Sequence, residues 1–122
     1  MQAKHIEPLI NYNLKTFVAT QNSSNGQVSE EVVFQYFQKD NILWGNYEGG
    51  AIKKGNLVGI CNEDFTLNFV YQHIDIHNQL KTGECLSTPE IVPDGRIRLY
   101  ENWQWSCDDF SEGTSIVEEV RR

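Results

Sequence analysis

Hydrophobic and polar residues alternate along most of this chain, and short turn-forming stretches interrupt the alternation at intervals. The stretch "RLYENWQW" places Leu99, Trp103 and Trp105 on one face of a strand, because successive side chains of a strand point to opposite sides. Turn signals such as "NSSNG", "EGG" and "PDG" separate segments of about seven to twelve residues, a spacing typical of an all-β domain. The predicted strands are Asn13–Thr20, Val28–Gln38, Ile42–Glu48, Ala51–Cys61, Phe65–Asp75, Leu80–Ile91, Arg96–Ser106 and Thr114–Val120.

Two-residue turns at the strongest turn signals give each predicted hairpin a register. With turns at Glu63–Asp64, His77–Asn78 and Asp94–Gly95, the apolar faces of four consecutive strands agree. The predicted partners are Val58 with Phe69, Ile60 with Leu67, Tyr71 with Glu84, Phe69 with Leu86, His73 with Thr82, Leu86 with Trp103, Glu84 with Trp105 and Val92 with Ile97. Turns at Asp40–Asn41 and Gly49–Gly50 add Phe34 with Tyr47, Tyr36 with Gly45, Phe37 with Trp44 and Tyr47 with Ile52, unless a bulge at Gly55 reverses the last register.

Short hairpins joining eight strands predict an eight-stranded antiparallel up-and-down β-barrel, since closure removes both exposed sheet edges. The chain of 122 residues is predicted to be a single domain, 1–122, with a loose N-terminal segment over 1–12. A barrel of this size is either filled by its own side chains or holds one small ligand.

The predicted inner face is unusually polar for a filled core. Beside aliphatic and phenylalanine side chains it carries eight candidate ligand-binding residues: Tyr36, Tyr47, Tyr71, His73, Glu84, Glu101, Trp103 and Trp105. Thr82 is placed on the same face and Glu90 near a rim. Buried polar groups need partners, so these side chains either satisfy one another in a closed network or form a pocket with aromatic walls. Both interpretations stay open, as does the protonation of Glu84 and Glu101.

The composition of the chain excludes some classes of binding partner and indicates a cellular compartment. The net charge of −7 argues against nucleic acid and against anionic membrane surfaces, and no stretch is long and apolar enough to span a bilayer. The N-terminus lacks the apolar region of a signal peptide, so we expect a cytoplasmic protein. Cys61, Cys85 and Cys107 are odd in number and are interpreted as reduced thiols.

Patterns for metal binding or catalysis are weak. His73 and His77 have a spacing seen in metal sites, but His77 falls in a turn and no third ligand follows at a fixed spacing. Cys85 has the opposite parity to Glu84 and is predicted to point outwards, away from His73. The sequence therefore predicts no metal, no cofactor and no catalytic residue.

The predicted outer face also carries apolar residues. Val33, Phe37 and Trp44 share that face on the second and third strands. Clustered exposed apolar side chains are more typical of an interface than of an isolated surface position, so we predict a homodimer through this patch. The alternative is a bulge that turns Trp44 inwards.

Three stretches carry a family resemblance: "YFQKDNILWGNYEGGAIKKGNLVG", "YQHIDIHNQLKTGECLSTPEIVPDGRIRLYENWQW" and the closing "SIVEEV". From about Asn11 onward they resemble a family of small bacterial proteins that often carry the label N-acetylglutamate synthase. The resemblance implies an avidin-like or lipocalin-like (calycin-type) barrel, and the label implies acetyl transfer to glutamate.

The residues themselves favour binding over acetyl transfer. A cradle for the pyrophosphate of acetyl-CoA is usually a glycine-rich turn that leads into a helix, and the glycines here fall in hairpin turns or stand alone. We therefore predict a barrel that binds a small polar or aromatic ligand without catalysis. The alternatives are an enzyme with Glu101 or His73 as general base, and a purely structural or partner-binding barrel.

Overall fold

The structure is a computed structural model that describes residues 9–121. Eight strands form one closed antiparallel barrel in which each strand pairs with the next and β1 closes on β8. The strands are β1 Lys15–Asn22, β2 Val33–Lys39, β3 Ile42–Gly49, β4 Ile52–Cys61, β5 Leu67–Asp75, β6 Leu80–Ile91, β7 Ile97–Trp105 and β8 Glu112–Glu119. The all-β class, the number of strands and the barrel closure are confirmed.

The second strand begins five residues later than predicted. Residues 23–32 form a loop between β1 and β2, which we call the mouth loop. Its start is a turn in which Gly26 N–H donates to Ser23 O, and the side-chain amide of Asn22 donates to Val28 O. These bonds fold the segment back over one end of the barrel instead of extending β2.

Three hairpins have a register one residue away from the prediction. Their loops contain three residues rather than two, and the third residue of each, Phe65, Asn78 or Gly95, has a positive φ. A type I turn followed by a left-handed residue has this form and inserts one extra position. The observed partners are Cys61 with Leu67, Gly59 with Phe69, Tyr71 with Gly83, Cys85 with Trp103, Gly83 with Trp105 and Ile91 with Ile97.

This shift corrects the faces of β4 and β6. Glu84 and Leu86 lie outside, contrary to the prediction, while Cys85 lies inside. The predicted pairing of Val58 and Ile60 with inward residues is also wrong, since both are exposed and Leu57 is buried. Further outward residues, contrary to the prediction, are Thr82, which bonds Ser106, and Glu90, which bonds Tyr100.

The β2–β3 register is confirmed, whereas the β3–β4 register is not. Tyr36 pairs with Gly45 and Phe37 with Trp44, as predicted. Tyr47 lies opposite Gly55 instead of Ile52. The anticipated irregularity in β4 exists, but it falls at Lys53 and Lys54, which both point outwards between buried Ile52 and Gly55.

Interior aromatic rings are accommodated by glycines on the neighbouring strand. Tyr47, Tyr71 and Trp103 lie opposite Gly55, Gly83 and Gly113, and a Cβ at any of these glycines would come within 2.5 Å of the facing ring. Large and small residues thus alternate across the barrel wall, which lets a narrow interior hold several rings. As a consequence, most of the interior is filled.

The two ends of the barrel are closed differently. The end that contains the starts of β1 and β7 is covered by residues 9–14, where Tyr12 is fully buried and its hydroxyl donates to Phe65 O at 2.7 Å. The predicted loose segment 1–12 falls mostly outside the described residues, which begin at Leu9. The opposite end, which we call the mouth, is covered by the mouth loop. The polar interior residues predicted as a site lie in the middle of the barrel and at the mouth.

Candidate functional site

The mouth half of the barrel encloses a cavity of about 40 Å³. Its lining combines aromatic, polar and small residues from all eight strands and the mouth loop: Asn22, Gly26, Gln27, Val28, Phe34, Tyr47, Leu57, Phe69, Tyr71, His73, Cys85, Glu101, Trp103, Trp105 and Ser115. A space of this size holds a few water molecules, whereas pockets for ordinary ligands measure roughly 300–1,000 Å³. The predicted choice between a hollow and a filled barrel thus resolves as nearly filled, with a small cavity under a loop.

Aromatic rings form the wall of this cavity. The rings of Trp103 and Trp105 lie 5.5 Å apart, and Trp105 contacts Tyr71 and His73, each with ring centroids 5.9 Å away. These edge-to-face arrangements are the favoured geometry for ring pairs. The structure therefore brings together five of the predicted site residues, since Tyr47 contacts His73 at 5.6 Å.

A chain of hydrogen bonds runs from the wall to the rim of the mouth. The Asp75 carboxylate accepts from Gln27 Nε2 at 3.1 Å, and Gln27 Oε1 lies 2.7 Å from His73 Nε2. Because the Gln27 oxygen can only accept, His73 Nε2 carries the proton and Nδ1 accepts from the Tyr47 hydroxyl at 2.9 Å. Burial lowers the pKa of His73 to about 4, so the ring is neutral at physiological pH.

Asp75 anchors this chain at the rim. One of its oxygens accepts the backbone N–H groups of His77 and Gln79, both at 2.9 Å, and the other accepts from Gln27. The hydrogen bond from Gln27, followed by the bond from the Gln79 N–H, lowers the pKa of Asp75 below its ordinary value. Asp75 is therefore ionised, and the oxygen that does not bind the turn, Oδ2, accepts a hydrogen bond from the mouth loop.

Glu101 lies deeper, on the same face of β7 as the two tryptophans, and is only 7% exposed. Ser87 Oγ donates to its Oε2 at 3.1 Å, and no other hydrogen bond to the carboxyl is found within residues 9–121. Burial raises the pKa of Glu101 from 4.5 to about 7, which the Ser87 bond only partly opposes. A carboxyl group can thus share a face with two tryptophans because it holds its proton well into the neutral range.

Tyr36 is inside the barrel but behind the cavity rather than on its lining. It is fully buried, and within the described part of the chain its hydroxyl has no hydrogen-bond partner. Burial raises the pKa of Tyr36 far above its ordinary value, and nearby Glu101 adds to the effect. The phenol is therefore a permanent donor without an acceptor in this arrangement.

Glu84 does not belong to the site. It pairs with Val70 and Gln104 on the outer face, because the three-residue loops on both sides of β6 invert that strand. Cys85 takes the inward position instead, beside Ser87, and burial raises the pKa of its thiol far above the ordinary value. Cys85 is thus a buried thiol of low reactivity.

Sequence reasoning missed the residues that hold the mouth loop. Gln27 lies in the mouth loop and Asp75 is the last residue of β5. Trp105 Nε1–H donates to Asn25 O at 3.1 Å across 80 residues of sequence. Ser115 accepts from Trp103 Nε1 at 2.9 Å. The alternation in "TSIVEE", which places Ser115 and Val117 on one face, is the one local signal that indicates an inward Ser115.

Other candidate chemistries have no assembled site in the part of the chain described. Cys61, Cys85 and Cys107 are free, and His77 is exposed in a turn. Within residues 9–121 no three His, Cys, Asp or Glu side chains are grouped to hold a metal ion. None of the described residues form a helix long and apolar enough to cross a membrane.

The outer face carries a continuous apolar surface on β2 to β6. Phe37 and Trp44 stack with ring centroids 5.8 Å apart, which confirms that both lie outside. Val33 is outside as well, but it is separated from Phe37 along β2 by Gln35. The exposed members on β3 to β6, which we call the outer patch, are each 41–55% exposed: Ile42, Trp44, Val58, Ile60, Val70 and Leu86.

Comparison with known proteins agrees with the barrel. The family model described as "Avidin-like protein" matches residues 10–120. Barrels of this type typically bind small ligands and often form oligomers. The match gives no support to the N-acetylglutamate synthase label. Comparison with curated proteins and with solved structures gave no match. The family match covers nearly the whole chain, and the chain therefore belongs to the avidin-like protein family.

Proposed function

We propose that this protein binds a small neutral ligand in the mouth half of the barrel, without catalysis. The observation that carries the proposal is the convergence of Trp103, Trp105 and Tyr71 with His73 and Glu101 around one cavity. Aromatic walls with a few directed polar groups are the usual composition of a small-molecule site. A core with no ligand to recognise has little need of a solitary buried carboxyl group.

Ligand entry requires the mouth loop to move, because about 40 Å³ is too little for an organic ligand. The loop joins the barrel through hydrogen bonds of Ser23 and Asn25 to residues 111–114, through the bonds of Gln27, and through the bond from Trp105 to Asn25 O. Val32 is fully buried in the core, whereas over residues 23–31 Val28 is the apolar side chain that packs against it. Segments with few buried apolar contacts open at low free energy. Binding is thus coupled to displacement of the less buried part of the mouth loop, residues 23–31.

The charge state of the lining favours neutral ligands over anions. His73 is neutral and the pKa of Glu101 is raised by burial to about 7, so among residues 9–121 no cationic group lines the cavity to balance an anion. Acetyl-CoA and glutamate are both anions, and burial of an unpaired charge is costly. The acetyl-transfer alternative is disfavoured for this reason.

The test is tryptophan fluorescence and melting temperature against a metabolite panel, in a Trp44→Phe background. This substitution removes the exposed tryptophan, so that the signal comes only from Trp103 and Trp105. A ligand of the folded state raises the melting temperature, by an amount that grows with its concentration above Kd. A neutral metabolite that changes both readouts supports the proposal. A response to acetyl-CoA and glutamate alone would favour the enzyme instead.

We further propose that the outer patch joins two copies of the chain. Trp44, Val58 and Val70 are direct neighbours across three strands, and a contiguous exposed apolar surface is typical of an interface. Trp44→Lys is expected to convert a dimer to a monomer in sedimentation equilibrium, whereas Val33→Lys, outside the patch, should leave the mass unchanged. A wild-type chain that sediments as a monomer at all concentrations would contradict the proposal.

A further inference from the structure

The side chain of Gln27 occupies a position that resembles a bound ligand. It comes from a loop rather than from the barrel wall, yet its amide group is held at both ends, by His73 Nε2 at 2.7 Å and by Asp75 Oδ2 at 3.1 Å. Both partners are themselves fixed, His73 by Tyr47 and Asp75 by the turn after β5. His73 and Asp75 belong to strand β5 of the barrel wall, whereas Gln27 belongs to the mouth loop.

We propose that His73 and Asp75 form a subsite for a neutral carboxamide group of the ligand, and that Gln27 fills this subsite until the ligand displaces it. The inference rests on the proposed function and specifies the chemistry of the same site.

The polarity of both partners selects this class of group. His73 donates at Nε2 because its Nδ1 accepts from Tyr47, and the Asp75 carboxylate can only accept. The ligand must therefore present a hydrogen-bond acceptor and, one or two bonds away, an N–H donor. A carboxamide or urea has both. A carboxylate would be repelled by Asp75, and an ammonium group cannot accept from His73.

Competition with the tethered Gln27 side chain also makes the subsite selective among ligands. Gln27 is present at a high effective concentration because it is attached to the loop, so a ligand succeeds only if it adds contacts with the aromatic wall. Removal of the glutamine amide would leave His73 Nε2–H and an Asp75 oxygen without their partner, a state that a small soluble amide can relieve.

The experiment is chemical rescue of Gln27→Ala by acetamide, followed through the melting temperature. Acetone is the matched control, since it has the same carbonyl acceptor and nearly the same size but no N–H donor. We expect acetamide to raise the melting temperature of the variant at about tenfold lower concentration than acetone, the factor that one charge-assisted hydrogen bond supplies. The wild-type chain, in which Gln27 fills the subsite, should respond little to either compound.

Equal responses to acetamide and acetone, or equal responses of variant and wild type, would overturn the inference. Should Gln27→Ala fail to fold, Gln27→Asn serves in its place, because its amide is one methylene shorter and cannot span both partners. The outcome is separable from that of the metabolite panel. A panel ligand without amide selectivity would overturn the carboxamide subsite and leave the proposed function standing. Amide selectivity without any panel ligand would support the subsite while the proposed function failed.

Discussion

The two ends of the barrel are closed by different physical means. At the end covered by residues 9–14, the core consists of Phe17, Leu43, Leu67 and Leu99, all fully buried. Tyr12 covers this core and donates its hydroxyl to Phe65 O and its backbone N–H to Gln38 Oε1. At the mouth, the core consists of rings and polar side chains, and the seal is a loop held by directed hydrogen bonds. The first end is stabilised by apolar burial and packing, which have no preferred direction. The mouth is stabilised by groups that another molecule could replace.

Stability and recognition are therefore separated along the barrel axis. A change at the closed end should alter the free energy of unfolding with little dependence on pH or on added solutes. A change at the mouth should alter how stability varies with pH and how the loop opens.

The largest effect is expected from Phe17→Ala at the closed end. Phe17 is fully buried and its ring lies 4.9 Å from that of Tyr36, so its removal leaves a cavity that the sheet cannot close. We expect a loss of about 4 kcal/mol in the free energy of unfolding, measured by denaturant titration. The matched variant is Phe34→Ala, which lines the mouth cavity beneath a loop able to collapse onto it, and which should lose less. An equal or larger loss for Phe34→Ala would contradict the separation.

Glu101 should make the folded state less stable as the pH rises. The unfolded chain loses this proton near pH 4.5, whereas the folded state keeps it until about pH 7 because burial raises the pKa of Glu101. Between these values the folded state binds more protons, so stability falls with rising pH, by up to about 3 kcal/mol. Glu101→Gln is neutral at every pH and should remove this contribution. The variant should therefore gain stability with rising pH between pH 4.5 and 6.5, where the opposite contribution of His73 offsets that of Glu101 in the wild type. Urea titrations from pH 4 to 8 measure it, and a profile unchanged from wild type would show that Glu101 ionises normally.

His73 should have the opposite effect on the acid side. Burial lowers the pKa of His73 from 6.5 to about 4, so between these values the unfolded chain binds the extra proton. Stability then falls as the pH decreases from 6.5 to 4, by an amount similar to that for Glu101. The two contributions largely cancel between pH 4.5 and 6.5 in the wild type. In His73→Gln, the free energy of unfolding should therefore fall with rising pH, as Glu101 alone dictates. A profile that stays flat in this variant would contradict the cancellation between Glu101 and His73.

Much of the fold could be predicted from the sequence, because alternation and turn residues are local signals. The inward faces of β5 and β7 were predicted correctly, and with them Tyr71, His73, Glu101, Trp103 and Trp105. The faces of β4 and β6 were wrong, since a single extra loop residue inverts a whole strand.

The extra loop residues were hard to foresee for a physical reason. Phe65 adopts a positive φ, which is unusual for a bulky aromatic residue, so the residue type at this position does not indicate a three-residue loop. Glycine at Gly95 is the ordinary choice for that position and could have indicated one. The seal of the mouth was not predictable either, because Gln27 and Asp75 meet across 48 residues and neither lies in a pattern that specifies a partner.

A smaller effect is expected from Gly83→Ala, which tests whether the rings of the mouth depend on facing glycines. The added Cβ would lie 2.3 Å from Tyr71 Oη and 2.7 Å from the backbone oxygen of Gln104. Overpacking of this kind costs about 1–3 kcal/mol. Because the ring is the closer obstacle, Gly83→Ala combined with Tyr71→Leu should cost less than the sum of the two single changes. Strict additivity in this double-mutant cycle, measured by denaturant titration, would place the cost on the Gln104 backbone alone.

The smallest effect on stability, and the most specific for the mouth, is expected from Trp105→Phe. The substitution keeps an aromatic ring beside Tyr71 and His73 but removes the N–H that donates to Asn25 O. Loss of one such bond costs about 1 kcal/mol, and the mouth loop should bear it, because only the loop is released. Hydrogen exchange should therefore accelerate severalfold in residues 23–32 while Phe17 and its neighbours at the closed end stay protected to the same degree. Acceleration spread evenly over both ends would mean that the loop and the barrel open together. The contacts of the mouth loop would then be no easier for a ligand to replace than those of the core.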